Sequence, residues 1–215
     1  MNEERIKEKK LIEQIEEMMS IQDELNSQLS PEWKKEGWNF KLAANVEMVE
    51  GIEHYGWKWW KHQEPDINQV KMEMADIWHF LLSEAVMDGA GARQIACELN
   101  CVPSAKKQAR NDFLFSAGEF IAVGYLIGKI YHFFRCMSCI DMHFDELRQL
   151  YLGKSILNKF RWNNGYNDGT YVKVWDGLED NEYLTSILMC HSDASADEIY
   201  QMLEERYKKL TYFVN

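Results

Sequence analysis

Two pairs of carboxylates at helical spacing, Glu47-x-x-Glu50 and Glu73-x-x-Asp76, restrict what this chain can fold into more than any other feature. Residues three apart share one face of a helix, so each pair predicts a helix with both acids on one side. Val46, Val49 and Ile52 accompany the first pair, and Met72, Met74, Ile77 and Phe80 the second, which predicts that the acidic faces are buried rather than solvated. The intervening residues suffice for a loop that returns the second helix antiparallel to the first, so that four carboxylates converge. Two unit charges about 4 Å apart repel by roughly 4 kcal/mol at an effective dielectric near 20, so such a cluster needs raised pKa values or a cation. An all-oxygen ligand set selects a hard ion, Mg2+ or Mn2+, over zinc. Two other readings compete. The acids could form two solvated faces, or they could belong to a di-iron bundle. The latter wants Glu-x-x-His on two helices, whereas only His79, three beyond Asp76, has that spacing here.

The rest of the chain reads as all-α. Residues 3–29 form an amphipathic pattern through Leu11, Ile15, Met18, Leu25 and Leu29, with Pro31 beyond it. Gln22 interrupts that apolar seam and Asn26 follows one turn later. They are either satisfied polar residues at a helix interface or an amide pair aimed into a pocket. The acid-bearing helices are expected at about 39–53 and from Asp66 to near Gly89, the second opened by Asp66 and Gln69 as a capping box. The aromatic and basic stretch Trp57-Lys58-Trp59-Trp60-Lys61 falls in the loop between them. Residues 90–115 are ambiguous. A helix at 117–139, apolar almost all round, is expected in the core or at a subunit interface, and another spans 144–161. Residues 171–175 are at most extended and lack a partner for a sheet, and two helices near 182–189 and 196–210 complete the chain. These elements predict one all-α domain over 1–215, with room for a smaller mobile helical lobe in the C-terminal half.

Lys154, Asn158 and Arg161 occupy successive turns of the helix at 144–161, beside Leu150, Leu157 and Phe160. Cations near a metal-carboxylate cluster suit a polyphosphate, because guanidinium can grip phosphate oxygens in bidentate fashion. The formal net charge of −11 opposes binding to a nucleic-acid backbone, and no apolar run reaches the length of a membrane span. The charged stretch at 1–10 lacks the apolar segment of a signal peptide, so a cytoplasmic location is expected. The five cysteines, Cys97, Cys101, Cys136, Cys139 and Cys190, are expected as reduced thiols. A zinc site from the first four conflicts with their apolar, helical surroundings.

The ordered set Gln22-x-x-Leu25-Asn26, Glu47-x-x-Glu50, Trp57-Lys58-Trp59-Trp60-Lys61, Glu73-x-x-Asp76-Ile77-Trp78-His79-Phe80 and 153–161, continued through Asn164-Gly165-Tyr166, 171–175 and Glu179-Asp180-Asn181, resembles the dimeric dUTPases of the all-α NTP pyrophosphatase superfamily. That resemblance implies a homodimer that cleaves dUTP, and also dUDP, with two or more Mg2+ ions held by Glu47, Glu50, Glu73 and Asp76. It further implies that Glu50 orients or deprotonates the attacking water. Lys61, Lys154, Arg161, Tyr166 and Lys173 would contact phosphates. Gln22, Asn26, Asn158 and Asn181 would bind base and sugar, with Trp60 and Phe80 packing near the nucleoside. Trp162 and Asn163 depart from the more polar and acidic residues expected after Arg161. A dCTP or dual dCTP/dUTP pyrophosphatase remains open, because an amide can present a donor or an acceptor to a pyrimidine. A catalytically silent helical interaction module is the alternative from another class.

Overall fold

The computed structural model describes residues 2–103, 110–191 and 194–212, and the chain divides into two compact units, Met1–Arg148 and Gln149–Asn215. The architecture is an all-α bundle. The first unit holds α1 (Asn2–Leu29), a 3-10 turn at Trp33–Lys35, α2 (Phe40–Tyr55), α3 (Ile67–Asp88), α4 (Ala92–Cys101), α5 (Arg110–Ala122) and α6 (Leu126–Cys139). The long helix α7 (Phe144–Asn163) begins in the first unit and runs into the second. There it is followed by the strands β1 (Val174–Trp175) and β2 (Leu178–Glu179), α8 (Asp180–Cys190) and α9 (Ala196–Tyr212).

Side-chain caps fix where the acid-bearing helices begin. Asn39 Oδ1 accepts from Leu42 N at 2.9 Å to open α2, and Asp66 Oδ1 accepts from Gln69 N at 3.1 Å to open α3. Asp66 N also donates to His54 O at 2.9 Å, closing the connecting loop and setting α3 back against α2. The helix α3 is central to its unit: it packs on α1, α2 and α6, and Val70, Ala75, Ile77, Trp78 and Leu82 are fully buried. The Trp78 ring stacks on Phe133 at 5.3 Å between centroids. An aromatic side chain so enclosed typically costs about 3–5 kcal/mol to truncate to alanine.

Several sequence expectations change here. The single helix expected over 117–139 is two: α5 ends at Ala122 and α6 starts at Leu126, and the two pack together. The exposed Gly124 lies in the break, and Lys129 Nζ donates to the Phe120 carbonyl at 2.7 Å, satisfying one of the orphan acceptors of the last turn of α5. The apolar character of this segment goes into the core of its own unit, where Phe120, Ile130, Phe133, Phe134, Cys136 and Met137 are buried. Of the ambiguous stretch 90–115, residues 92–101 are helical and α5 begins at Arg110, while 104–109 lie outside the described residues. The flanking side chains of α2 do not bury that helix's acids as expected: Val46 and Val49 are 48% and 50% exposed.

The extended run at 171–175 does acquire a partner. Val174 pairs with Glu179 and Trp175 with Leu178 in a two-stranded antiparallel hairpin. Asp176 and Gly177 make the turn with φ of 49° and 88°, the doubly positive conformation of a type I′ turn, which an Asp-Gly pair adopts readily and which matches strand twist.

Candidate functional site

Within the first unit, α2 and α3 bring Glu47, Glu73 and Asp76 together, with carboxylate oxygens all within 4.8 Å of one another. Glu73 is buried, while Glu47 and Asp76 are half-buried. The helices approach closely at this level: a Cβ placed on Gly51 would lie 3.6 Å from Glu73 Cβ. Glu50 occupies the same helix one turn from Glu47, but it is exposed and stands outside the trio. At 4.8 Å and an effective dielectric of about 20, each ionised pair repels by about 3.5 kcal/mol. A divalent cation relieves all three repulsions at once. The donor set, three carboxylates with neither thiolate nor imidazole among them, fits a hard ion.

His54, which the sequence reading did not single out, stands beside one member of the trio. Its Nε2 lies 3.6 Å from Glu73 Oε1. The signal was present in the sequence, since Glu47, Glu50 and His54 follow the i, i+3, i+7 spacing of one helix face. Glu53, on the neighbouring surface, is held instead by Lys58 Nζ at 2.8 Å and Trp57 Nε1 at 2.7 Å, and these two donors lower its pKa below the ordinary carboxylate value. In the loop beyond, Trp60 packs edge-on against both Trp57 and Trp59, and Trp60 and Lys61 are exposed. This loop lines an open depression of about 470 Å³ together with Asn111 and Leu114.

One to two turns along α3 from Asp76, a buried polar ring joins α3 to α1. His79 Nδ1 lies 2.7 Å from Gln22 Oε1, Gln22 Nε2 donates to Asn26 Oδ1 at 3.0 Å, and Asn26 Nδ2 donates to Ser83 Oγ at 2.9 Å. Ser83 Oγ returns to the His79 carbonyl at 2.9 Å. All four side chains are buried, and both amides have partners within the ring. The sequence reading gave His79 no place beside these amides and did not mention Ser83. The ring and the acids share a helix: Glu73, Asp76, Phe80 and Ser83 recur at three and four residue steps. Asp76 and Ser83 are thus separated by about 10 Å along the axis. Phe80 is half-buried.

The second unit holds its own polar cluster. Lys154 and Arg161, only 2% and 9% exposed, are not the surface cations that isolated basic residues usually are. Arg161 donates through Nε and Nη2 to the two oxygens of Asp180 at 2.8 and 2.7 Å, through Nη1 to Asn158 Oδ1 at 3.3 Å, and through Nη2 to Asn181 Oδ1 at 3.2 Å. Lys154 Nζ reaches the same Asn181 oxygen at 2.9 Å. Asp180 is fully buried and also accepts from the Tyr171 hydroxyl at 2.8 Å. Burial, then the Asp180 charge, hold the Tyr171 pKa far above its ordinary value, so the phenol stays a donor. The capping box between Glu179 and Glu182 starts α8 where Asp180 and Asn181 must stand.

Tyr166 lies with its ring 5.9 Å from Arg161 Cζ, on a turn that needs glycine at position 165: φ there is +88°, and a Cβ would fall 2.0 Å from Thr170 Oγ1. Lys173 is exposed and pairs with Glu179 at 3.0 Å. Lys154, Asn158, Arg161, Tyr166 and Asn181 therefore gather in one cluster, and Asp180 is the member that sequence reasoning quoted in a motif without giving it a role.

No curated protein matches the chain. A family model described as dUTPase matches residues 14–166, well over half of the sequence and including the acids, the amide pair and the cations of α7. With that match and an all-α fold that gathers three of the four expected carboxylates, the chain belongs to the dUTPase family and is a dUTP diphosphatase of the all-α type.

Proposed function

We propose that this enzyme converts dUTP to dUMP and pyrophosphate, and hydrolyses dUDP as well, with Mg2+ ions held by Glu47, Glu73, Asp76 and Glu50. The carboxylate trio carries this reading, because three acids within 4.8 Å of one another on two packed helices have an electrostatic cost that a bound hard cation removes. When bound, the ions supply charge neutralisation on the phosphates and a lowered pKa for the attacking water. Mn2+ meets the same ligand requirements.

Glu50, exposed beside the trio, orients the water and takes its proton as the oxygen bonds to the β-phosphorus. The bridging oxygen leaves with dUMP. Lys154 and Arg161 are pre-oriented by Asn158, Asp180 and Asn181, so they meet phosphate charge without reorganising. Tyr166, Lys173 and Lys61 add phosphate contacts. The base is read by Gln22 and Asn26, with Trp60 and Phe80 packing against the nucleoside and Asn158 and Asn181 contacting base or sugar. The axial distance of about 10 Å from Asp76 to Ser83 suits a nucleotide lying along α3 with its phosphates toward the acids.

The deciding experiment is release of pyrophosphate and dUMP by chelator-treated protein to which Mg2+, Mn2+ or Ca2+ is restored, with Glu50→Gln alongside. Turnover restored by Mg2+ and largely lost in the variant, with an unchanged circular dichroism spectrum, is expected. Full turnover in excess chelator would reject the metal assignment. The protein is further proposed to be a cytoplasmic homodimer. Five free thiols suit a reducing compartment, and Leu42, Val46 and Val49 leave an exposed apolar stripe on α2 at i, i+4 and i+7. No helix among the described residues is long and apolar enough to cross a membrane. Light scattering that finds a monomer under active conditions would reject the dimer.

A further inference from the structure

The helix α9 (Ala196–Tyr212) lies wholly beyond the residues that match the family, yet it grips the stretch of chain that carries Lys173. Residues 170–173 belong to neither helix nor strand, so their backbone groups must find partners outside a regular ladder. Thr170 N and Tyr171 N donate to the Gly165 carbonyl at 3.0 and 3.3 Å, and the Lys173 carbonyl accepts from Asp180 N at 3.0 Å. Between them, Val172 is held by side chains on both of its backbone groups. Its N–H donates to the Tyr207 hydroxyl at 3.0 Å, and its carbonyl accepts from Trp175 Nε1 at 2.8 Å. Trp175 stands in the hairpin that follows, whereas Tyr207 ties the stretch to a separate element.

The ring of Tyr207 acts on the residue before Val172. It stacks on the Tyr171 ring at 5.2 Å between centroids and 16° between planes, and it packs against Phe160 and Trp175 at 5.5 Å from each. So placed, the Tyr171 hydroxyl donates to Asp180 Oδ2 at 2.8 Å, the oxygen that also accepts from Arg161 Nε. Arg206, the neighbour of Tyr207 in sequence, forms an ion pair with Asp176 at the turn of the hairpin. Consecutive residues of α9 thus hold this part of the chain at Val172 and at Asp176.

We propose that Tyr207 is a positioning residue for phosphate binding: stacked on Tyr171 and bonded to Val172, it fixes the backbone from which Lys173 projects and the phenol that steadies the Asp180–Arg161 pair. This rests on the phosphate contacts assigned above to Lys173 and Arg161. The two cations depend on it to different degrees. Arg161 is buried and held by both oxygens of Asp180, whereas Lys173 is exposed and its ion pair with Glu179 is a surface one. Lys173 therefore meets phosphate only as well as its backbone is placed, and the Tyr207 hydroxyl contributes one net hydrogen bond to that placement, a factor of about five. Phosphate oxygens are charged in the bound substrate and in the transition state alike. Loss of the bond therefore weakens both equally, which raises KM and leaves kcat unchanged.

The test measures turnover of dUTP with Mg2+ by the intact chain in Tyr207→Phe, Lys173→Met and the double variant, together with hydrogen exchange of the Val172 amide. Tyr207→Phe keeps the stacked ring and removes only the hydroxyl that accepts from Val172. Expected are a Val172 amide that is protected in wild type and exchanges about fivefold faster in Tyr207→Phe, a KM raised about fivefold with kcat unchanged, and a double variant no worse than Lys173→Met alone. A wild-type KM in Tyr207→Phe, a fall in kcat as large as the rise in KM, or effects of the two substitutions that multiply overturns the inference. So does a Val172 amide that exchanges freely in wild type, a result independent of how any variant folds. If Lys173→Met leaves KM unchanged, the phosphate role of Lys173 fails and the positioning role falls with it. A KM raised in Lys173→Met but unaltered in Tyr207→Phe refutes the positioning role alone.

Discussion

Lys129→Met should change how the stability of this protein depends on pH. The Lys129 side chain is 1% exposed and has no carboxylate partner among its hydrogen bonds: Nζ donates to Asn45 Oδ1 at 2.7 Å and to the Phe120 carbonyl at 2.7 Å, and lies 4.4 Å from the centre of the Phe120 ring. Burial, with the nearby charge of Lys41 adding to it, lowers the lysine pKa from 10.5 to about 8. At 1.36 kcal/mol per tenfold, the charged form is disfavoured in the folded protein by about 3.4 kcal/mol. The folded value lies below the unfolded one, so this destabilisation is fully present below pH 8 and is relieved as pH rises from about 8 toward 10.5. Integrated from pH 7 to 9.5, the relief is about 2 kcal/mol.

Methionine keeps the length of the side chain and removes the charge, so the variant gains nothing over that interval. The hydrogen bonds lost to Asn45 and Phe120 shift its stability by an offset that does not depend on pH. Urea unfolding followed by circular dichroism at pH 7 and pH 9.5 therefore should show wild type improving relative to Lys129→Met by about 2 kcal/mol, since all other lysines and tyrosines titrate in both proteins. Parallel stability curves would refute the reasoning and would mean that the buried amine keeps its unfolded pKa in the folded protein.

Asp180→Ala should cost about 3–5 kcal/mol of stability, because it leaves the Arg161 guanidinium buried without its bidentate partner. Urea melts of the variant check this, and a loss under about 1 kcal/mol would mean that water reaches Arg161. Glu73→Gln should melt at a higher temperature than wild type in excess chelator, since one member of the repelling trio is neutralised, yet gain little from added Mg2+ and lose roughly a hundredfold in turnover. Calorimetry with and without Mg2+ tests the first two, and an unchanged metal-induced shift would place the ion elsewhere.

How much of this was legible from sequence follows from the range of the interactions involved. The acid-bearing helices were readable because their i, i+3 acids, and for α3 the start signal at Asp66, are local features of the sequence. So was the grouping of Lys154, Asn158 and Arg161 on one face of α7. The ring was only half readable: Gln22 and Asn26 stood out as polar residues in an apolar seam, but their partners Ser83 and His79 lie 57 residues away. Asp180 was hidden for the same reason, since an acid at the start of a helix is common and only the fold brings Arg161 to it. The break between α5 and α6 was missed because an uninterrupted apolar pattern does not show a lysine nine residues on that caps the earlier helix. The hairpin was a different kind of miss. Its Asp176-Gly177 signal was local and in plain view, but strands of two residues are too short for any periodicity to reveal.

The oxygen of the Asn181 amide receives both Lys154 and Arg161, so its two lone pairs are spent inside the protein. What remains for a ligand is the NH2 group alone. Asn181 therefore cannot act as an ambivalent amide: any atom it recognises must carry a free electron pair, and a sugar hydroxyl can meet it only through its oxygen, with its proton directed to some other acceptor.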